Sequence, residues 1–220
     1  KETKKAAHTL GITSVEFLEY ADGSLSALNP GEYEDALHRI ISRELPDIVL
    51  TFDTNGFSNN PDCIKTSFST TFAFQKYAAH LDDLTSMEAP VGRGKAWKEH
   101  DLMRSFSEVK VDPEPRLYFA CVPESLAAYM KKVGAYPSQM YGKPWNGTED
   151  RSITTVIDIS EVREIKKSAL LCHASQETDV RSFIEPDSAN PFLMKEYYRL
   201  RMQGIYEIFM GKTDAVADSL

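Results

Sequence analysis

Cysteine is scarce in this sequence: Cys63, Cys121 and Cys172 are the only three in 220 residues, and no Cys-x-x-Cys pair occurs. That usage excludes a disulfide framework and points to a reducing compartment, most simply the cytoplasm. Long apolar runs are missing too, and none approaches the roughly 20 residues of a membrane-spanning helix. No apolar signal region follows Lys1-Glu-Thr-Lys-Lys5. Asn146-Gly-Thr148 fits a glycosylation pattern but, without a secretory signal, reads as a chance occurrence. Positive charge is in the minority: 25 Lys and Arg against 33 Asp and Glu give a net charge of −8, which argues against a nucleic-acid partner. Self-contained catalytic signatures are absent as well. There is no Gly-x-Ser-x-Gly elbow and no His-Glu-x-x-His helix, and Gly92-Arg-Gly-Lys95 lacks the preceding strand and the glycine spacing of a phosphate loop.

What is present suits one packed domain. Apolar residues make up 42% of the chain and charged residues 26%, and no linker divides it, so residues 1–220 are expected to form a single unit. The opening residues read as a helix already under way, with Ala6, Ala7 and Leu10 on one face and Gly11 as its stop. Val15–Tyr20 alternates like a strand and leads to an Asp22-Gly23 turn. A helix opens at Asn29-Pro30, turns Ala36, Leu37, Ile40, Ile41 and Leu45 inward, and breaks at Pro46. Asp47–Phe52 is nearly continuous in apolar residues, the pattern of a central parallel strand. A polar loop follows, then a helix from Pro61 through Ile64, Phe68, Phe72 and Tyr77. Residues 81–115 are charged and rich in proline and glycine, which marks an insertion. Beyond it, Arg116–Val122 reads as a strand, Pro123–Val133 as a helix stopped by Gly134, and Thr154–Ile159 as a third strand or an edge strand. A further helix after Ser160 turns Val162, Ile165, Ala169 and Leu170 inward, and Pro191–Met210 reads as an aromatic-rich packing helix. The order is that of an α/β fold with a mostly parallel, doubly wound sheet.

Chemistry centres on the loop after Asp47–Phe52, since ligands in open α/β sheets bind beyond the carboxyl ends of the strands. Asp53, Asn55, Asn60, Asp62 and Cys63 all lie there and supply acceptors, amide donors and one thiol. The same residues also suit turn-forming and helix-capping roles, with Cys63 as a small buried hydrophobe. His173, in Cys172-His-Ala-Ser-Gln176, stands at a helix end, where a histidine commonly has a structural role.

The order of these residues resembles one family. Glu2, Ala6-Ala7 and Leu10-Gly11, then Val15-Glu-Phe-Leu18 with Asp22-Gly23, Pro46–Thr51, Asn60-Pro-Asp-Cys63 and Cys172–Gln176 together look like the PIG-L/LmbE-like zinc-dependent de-N-acetylases. The resemblance covers most of the chain outside 81–115. It implies a Rossmann-like three-layer domain that hydrolyses an N-acetylglucosamine-type amide with zinc and water. The family's Ala-His-Pro-Asp-Asp motif, source of two zinc ligands and the base, is not found in the sequence. The domain is therefore expected to be N-terminally incomplete, without its first strand. The second motif, His-Pro-Asp-His, aligns with Asn60–Cys63.

By this resemblance Asn60 stands where the oxyanion-stabilising histidine belongs, Asp62 keeps the motif aspartate, Cys63 replaces the third zinc ligand, and His173 matches a distal histidine that positions active-site groups. Asp53 and Asn55 are taken as substrate-binding candidates. Zinc is the family's cofactor, and with at most one ligand position kept, this chain is expected to hold none in stoichiometric amount. The expected partner is a small N-acetyl sugar conjugate, with no nucleic acid or membrane span, and homo-oligomers stay open. The alternatives are a relative that binds a sugar or nucleotide without metal, and an interaction protein using the 81–115 insertion.

Overall fold

A turn of chain at Pro46 separates the first long helix from the first strand, and this junction organises half of the molecule. The computed structural model describes residues 1–86, 114–184, 190–208 and 218. Helix α1 spans Glu2–Thr9 and ends before Gly11, whose φ of +74° supplies the left-handed turn that glycine tolerates. Ala6 and Ala7 are buried as expected, but Leu10 is exposed. Helix α2 spans Glu32–Glu44, buries Tyr33, Ala36 and Ile41, and ends at Leu45. Strand β1, Ile48–Phe52, leads through a helical turn at Gly56–Asn59 into α3, Pro61–Ser86. Strand β2, Arg116–Cys121, and helix α4, Glu124–Lys132, follow, then a small hairpin of β3, Gln139–Met140, and β4, Lys143–Pro144. Strand β5 is Thr155–Asp158, α5 is Arg163–Leu170 and α6 is Glu177–Ile184. The chain closes the sheet with β6, Lys195–Gln203, and β7, Tyr206–Glu207.

The main sheet runs β1-β2-β6-β5, with β7 paired to β6. Among the described residues only β1 and β2 of this sheet pair in parallel, and every pair that β6 makes is antiparallel. The mostly parallel sheet expected from the sequence is thus replaced by a mixed one, and the overall class is α/β. The cause is Pro191–Met210, read as a packing helix. It contains instead a 3-10 turn at Pro191–Leu193 and the strand that fills the space between β2 and β5. Its aromatic and long side chains fit either state, and pairing on both edges selects the strand.

Two further expectations fail at the opposite side. Val15–Tyr20 is no strand, because it lies along α2: Glu16 pairs with Arg43 at 2.6 Å, and Tyr20 meets Tyr33 edge-on at 5.4 Å between ring centroids. Glu19, at φ +59°, interrupts any extended run. As a result β1 is an edge strand among the described residues rather than a central one, and Leu50 is 49% exposed.

Helix α3 covers β1 and β2 on one face. Its buried stripe is Ala73, Phe74, Tyr77, Ala78 and Leu81, against Leu117 and Phe119. Phe68 and Phe72, which the sequence places on this helix, point outward, because the buried face is set one residue round from them. Full burial of Phe74, Leu117 and Phe119 contributes about 1.5–3 kcal/mol each. The opposite face is held by α5, through Lys166 to Glu196 at 2.9 Å, since Glu196 and Arg199 alternate across the pleat. Of the α5 side chains expected inward, Val162 and Ile165 are exposed and Ala169 is buried. The proposed 81–115 insertion falls for the most part outside the described residues.

Candidate functional site

Asp53 begins the loop at the carboxyl end of β1, and the sheet fixes it there through its backbone N–H to the Ala120 carbonyl, 3.1 Å. The residue is buried and its carboxylate is fully engaged. One oxygen accepts from Thr54 N at 2.7 Å and from Arg199 Nη2 at 2.8 Å, and the other accepts from the Thr148 hydroxyl. Arg199 in turn lies over the Phe119 ring, 5.2 Å from its centroid. Asp53 therefore ties β1, β6 and the 148 segment together.

The loop then folds back on itself. Asn55 Oδ1 accepts from Phe57 N at 2.9 Å, which caps the short Gly56–Asn59 turn. Gly56 has φ +62°, and an added Cβ there would stand 2.8 Å from both Ile64 Cγ1 and Ile64 N, so only glycine lets the loop close over the start of α3. Phe57, Asn59 and Tyr141 also hold positive φ, at +64°, +64° and +51°. Among the described residues, three of the five non-glycine residues with positive φ thus gather at one place. Such backbone strain persists only where surrounding contacts impose it.

Asn60, extended as a residue before proline must be, caps α3: its Oδ1 accepts from Asp62 N at 2.9 Å and Cys63 N at 3.3 Å. Its Nδ2 donates to the Tyr141 hydroxyl at 2.8 Å. Asp62 accepts from Gly23 N at 2.7 Å and Leu25 N at 3.3 Å, which fastens the Asp22-Gly23 turn to the helix. Cys63 is half-buried, and burial followed by the nearby Asp62 and Asp22 carboxylates pushes its thiol pKa up. Asn59 Nδ2 reaches the carbonyls of Met140, Lys143 and Pro144 at 3.4, 3.4 and 3.1 Å, and Trp145 Nε1 donates to Phe57 O at 2.8 Å. The β3–β4 hairpin is thereby clamped to the loop from two sides.

Asp53, Asn55, Asn60, Asp62 and Cys63 thus form one strand–loop–helix unit. His173 keeps other company. It follows α5, and the next residues meet α1: Ser175 N and Oγ donate to the Glu2 carboxylate at 2.9 and 2.6 Å. Those bonds, with His173 nearby, lower the Glu2 pKa. Ala6, Ala169 and Cys172 pack together there, so segments about 170 residues apart in sequence meet. No hydrogen bond joins His173 to the Asp53–Cys63 loop among the described residues. Sequence reasoning missed Thr148, Arg199, Asn59 and Tyr141. For Tyr141 a signal existed, since Tyr141-Gly142 between short extended segments is a hairpin cue. The others carry none, because their partners are fixed only by the fold.

As a zinc centre the donor set does not fit. Among the described residues no three His, Cys, Asp or Glu side chains converge to hold a metal ion. At the family ligand position, the Cys63 thiol is disfavoured as a thiolate, and Asp62 has both oxygens on backbone amides. A cleft of about 530 Å³ is lined by Pro123, Ser125, Tyr129, Asp150 and Tyr197 among others, and by no residue of the Asp53–Cys63 loop. Asp150 is two residues beyond Thr148, the partner of Asp53. Among the described residues no helix is long and apolar enough to cross a membrane.

The chain is similar to several known proteins. The family model for GlcNAc-PI de-N-acetylase, PIG-L, matches residues 1–74. A 1D-myo-inositol 2-acetamido-2-deoxy-alpha-D-glucopyranoside deacetylase from Rhodococcus jostii is 26% identical over 191 residues, covering 81% of this chain and 59% of the relative. Its counterpart from Rhodococcus erythropolis is 27% identical, covering 90% of this chain and 68% of that one. The chain therefore spans about six tenths of the length of the curated relatives it matches. Among solved structures, a 4-carboxy-2-hydroxymuconate hydratase from Pseudomonas putida overlays with a TM-score of 0.45 at 16% identity, over 94% of this chain and 72% of that one. That overlay is too loose to carry any argument.

Proposed function

The chain belongs to the PIG-L/LmbE-like family, and from that premise we propose that it serves a de-N-acetylase-type hydrolysis of an N-acetylglucosamine-like amide. The parallel pair β1 and β2, joined through α3, supports a Rossmann-like relationship for this half of the sheet. Three free thiols fit a cytoplasmic setting.

The observation that carries the reading is the placement of Asn60. Its oxygen is committed to the helix, so its amide nitrogen faces away from α3, where one N–H donates to the Tyr141 hydroxyl and the other remains to donate. A fixed N–H of this kind can bind an acetamido carbonyl oxygen and hold the charge that develops there during hydrolysis. An amide cannot protonate the leaving amine, which separates this role from that of a histidine. Asp53 and Asn55 serve substrate binding indirectly, by shaping the loop. Asp62 fixes the turn beside it, and Ser175, two residues beyond His173, ties the chain after α5 to Glu2 of α1. No step is routed through zinc, because the donor set does not fit it. The cleft at Tyr129 and Tyr197, apolar with the polar groups of Ser125 and Asp150, has the makeup of a site for the rest of a sugar conjugate.

A second reading, binding of the sugar without turnover, is favoured by one specific observation: the carboxylate oxygens of both Asp53 and Asp62 accept hydrogen bonds from within the protein, which leaves neither as a free general base. The test is to incubate the protein with an N-acetylglucosamine conjugate, with and without added zinc, while following acetate release and binding in parallel. Acetate release supports the hydrolase. Binding alone selects the second reading, and absence of both removes the two together.

A further inference from the structure

The β3–β4 hairpin has a two-residue turn, Tyr141-Gly142, with φ of +51° and +71°. Positive φ at both central positions marks the hairpin turn that prefers Asn-Gly or Asp-Gly, and a bulky aromatic at its first position is strained. Nothing in packing accounts for that choice: Tyr141 is 61% exposed. What the tyrosine does supply is a hydroxyl, placed 2.8 Å from Asn60 Nδ2. The hairpin carrying it is held firmly, by Asn59 on three of its carbonyls and by Trp145, which is buried and stacked on Tyr136 with ring centroids 5.0 Å apart.

The hydrogen-bond roles are then determined. The phenolic oxygen accepts from Asn60, so its O–H remains to donate, and the second N–H of Asn60 Nδ2 remains as well. Two donors on firmly held supports therefore lie side by side, their heavy atoms 2.8 Å apart. We propose that Tyr141 and Asn60 form a donor pair for the acetamido carbonyl oxygen of an N-acetyl sugar, with Tyr141 the residue that distinguishes the acetylated sugar from the free amine. This rests on the de-N-acetylase reading of the site. It adds a ligand-contacting residue outside the Asn60–Cys63 stretch.

The test compares the protein with its Tyr141→Phe and Tyr141→Asn variants. Binding of N-acetylglucosamine and of glucosamine is followed by NMR titration, and thermal unfolding is measured alongside. The unaltered protein should prefer the acetylated sugar. Tyr141→Phe should weaken N-acetylglucosamine binding about five- to tenfold and leave glucosamine unchanged. Tyr141→Asn should lose the same preference yet unfold at a higher temperature, because it relieves the turn. An unchanged preference in the Phe variant overturns the donor pair while sparing the functional reading. No preference in the unaltered protein overturns the functional reading and the donor pair with it. If binding falls only in step with thermal stability, Tyr141 is structural and the proposal fails.

Discussion

Arg199 and Asp53, 146 residues apart in sequence, meet at 2.8 Å at the carboxyl end of β1. This pairing sets where the candidate loop begins. Arg199 sits on β6 directly beside Phe119 of β2, so a salt bridge to Asp53 locks three neighbouring strands in register at the point where the loop departs. Because the Asp53 side chain is 4% exposed and that of Arg199 is 24% exposed, the pair is largely removed from water. Its value lies less in net attraction than in the cost of breaking it.

Arg199→Met should accordingly leave Asp53 charged and buried, with a loss of roughly 3–5 kcal/mol in chemical denaturation. Thr148→Val removes one hydrogen bond to the same carboxylate and should cost about 1–3 kcal/mol. The two losses should not add, since both act on one group. Strict additivity would show that Asp53 does not couple them.

Gly56→Ala places a methyl against Ile64 in a backbone conformation that alanine avoids. A loss of roughly 1–3 kcal/mol is expected, with weakened binding of any ligand at Asn60. Gly23→Ala, also at positive φ but in open space, is the control: it should cost less and leave binding intact. Equal effects would mean that closure over Ile64 is unimportant.

Metal content gives a third outcome. The purified protein should hold no stoichiometric zinc by elemental analysis, and a value near one per chain would refute this. Cys63 should be alkylated with a midpoint at higher pH than a free cysteine, following the upward shift of its thiol. Asn60→His with Cys63→His should give no zinc-dependent acetate release, because neither change supplies a base. The pair should cost roughly 1–3 kcal/mol if the half-buried Cys63 position overpacks. Metal-dependent turnover in that variant would show that another group in the chain activates water.

Acid stability tests the α2–α3 contact. Burial raises the pKa of Glu34, but hydrogen bonds from Lys65 and Ser69 outweigh it and hold the carboxyl down at about 2 from an ordinary 4.5. Unfolding therefore takes up a proton as pH falls below about 4.5. The stabilisation is complete above that pH and is lost progressively toward pH 2, amounting to roughly 1–3 kcal/mol. Glu34→Gln should flatten this part of the stability–pH curve. A slope unchanged by the substitution would assign it to other carboxylates.

The amino-acid sequence by itself determined the local punctuation of this protein. Gly11 stops α1, Pro46 ends α2, Asn60-Pro61 starts α3 and Gly134 follows α4, because these residues restrict φ or cap a helix regardless of what lies around them. The order of those signals also carried the family resemblance and located the Asp53–Cys63 loop. Tertiary structure decided which strands pair and which carboxylates are occupied. Val15–Tyr20 alternates well enough for a strand yet lies on α2, while Lys195–Gln203, read from the sequence as part of a packing helix, becomes the strand between β2 and β5. A strand exists only when its backbone donors find an edge to pair with, and a run of residues does not carry that information. The same holds for the site: Asp53 looks like a ligand-binding acid until Arg199 and Thr148 reach it, and Tyr141 looks like a surface residue until Asn60 does. Each of those roles depends on a partner about 80 to 146 residues away, brought within 3 Å only by the completed fold.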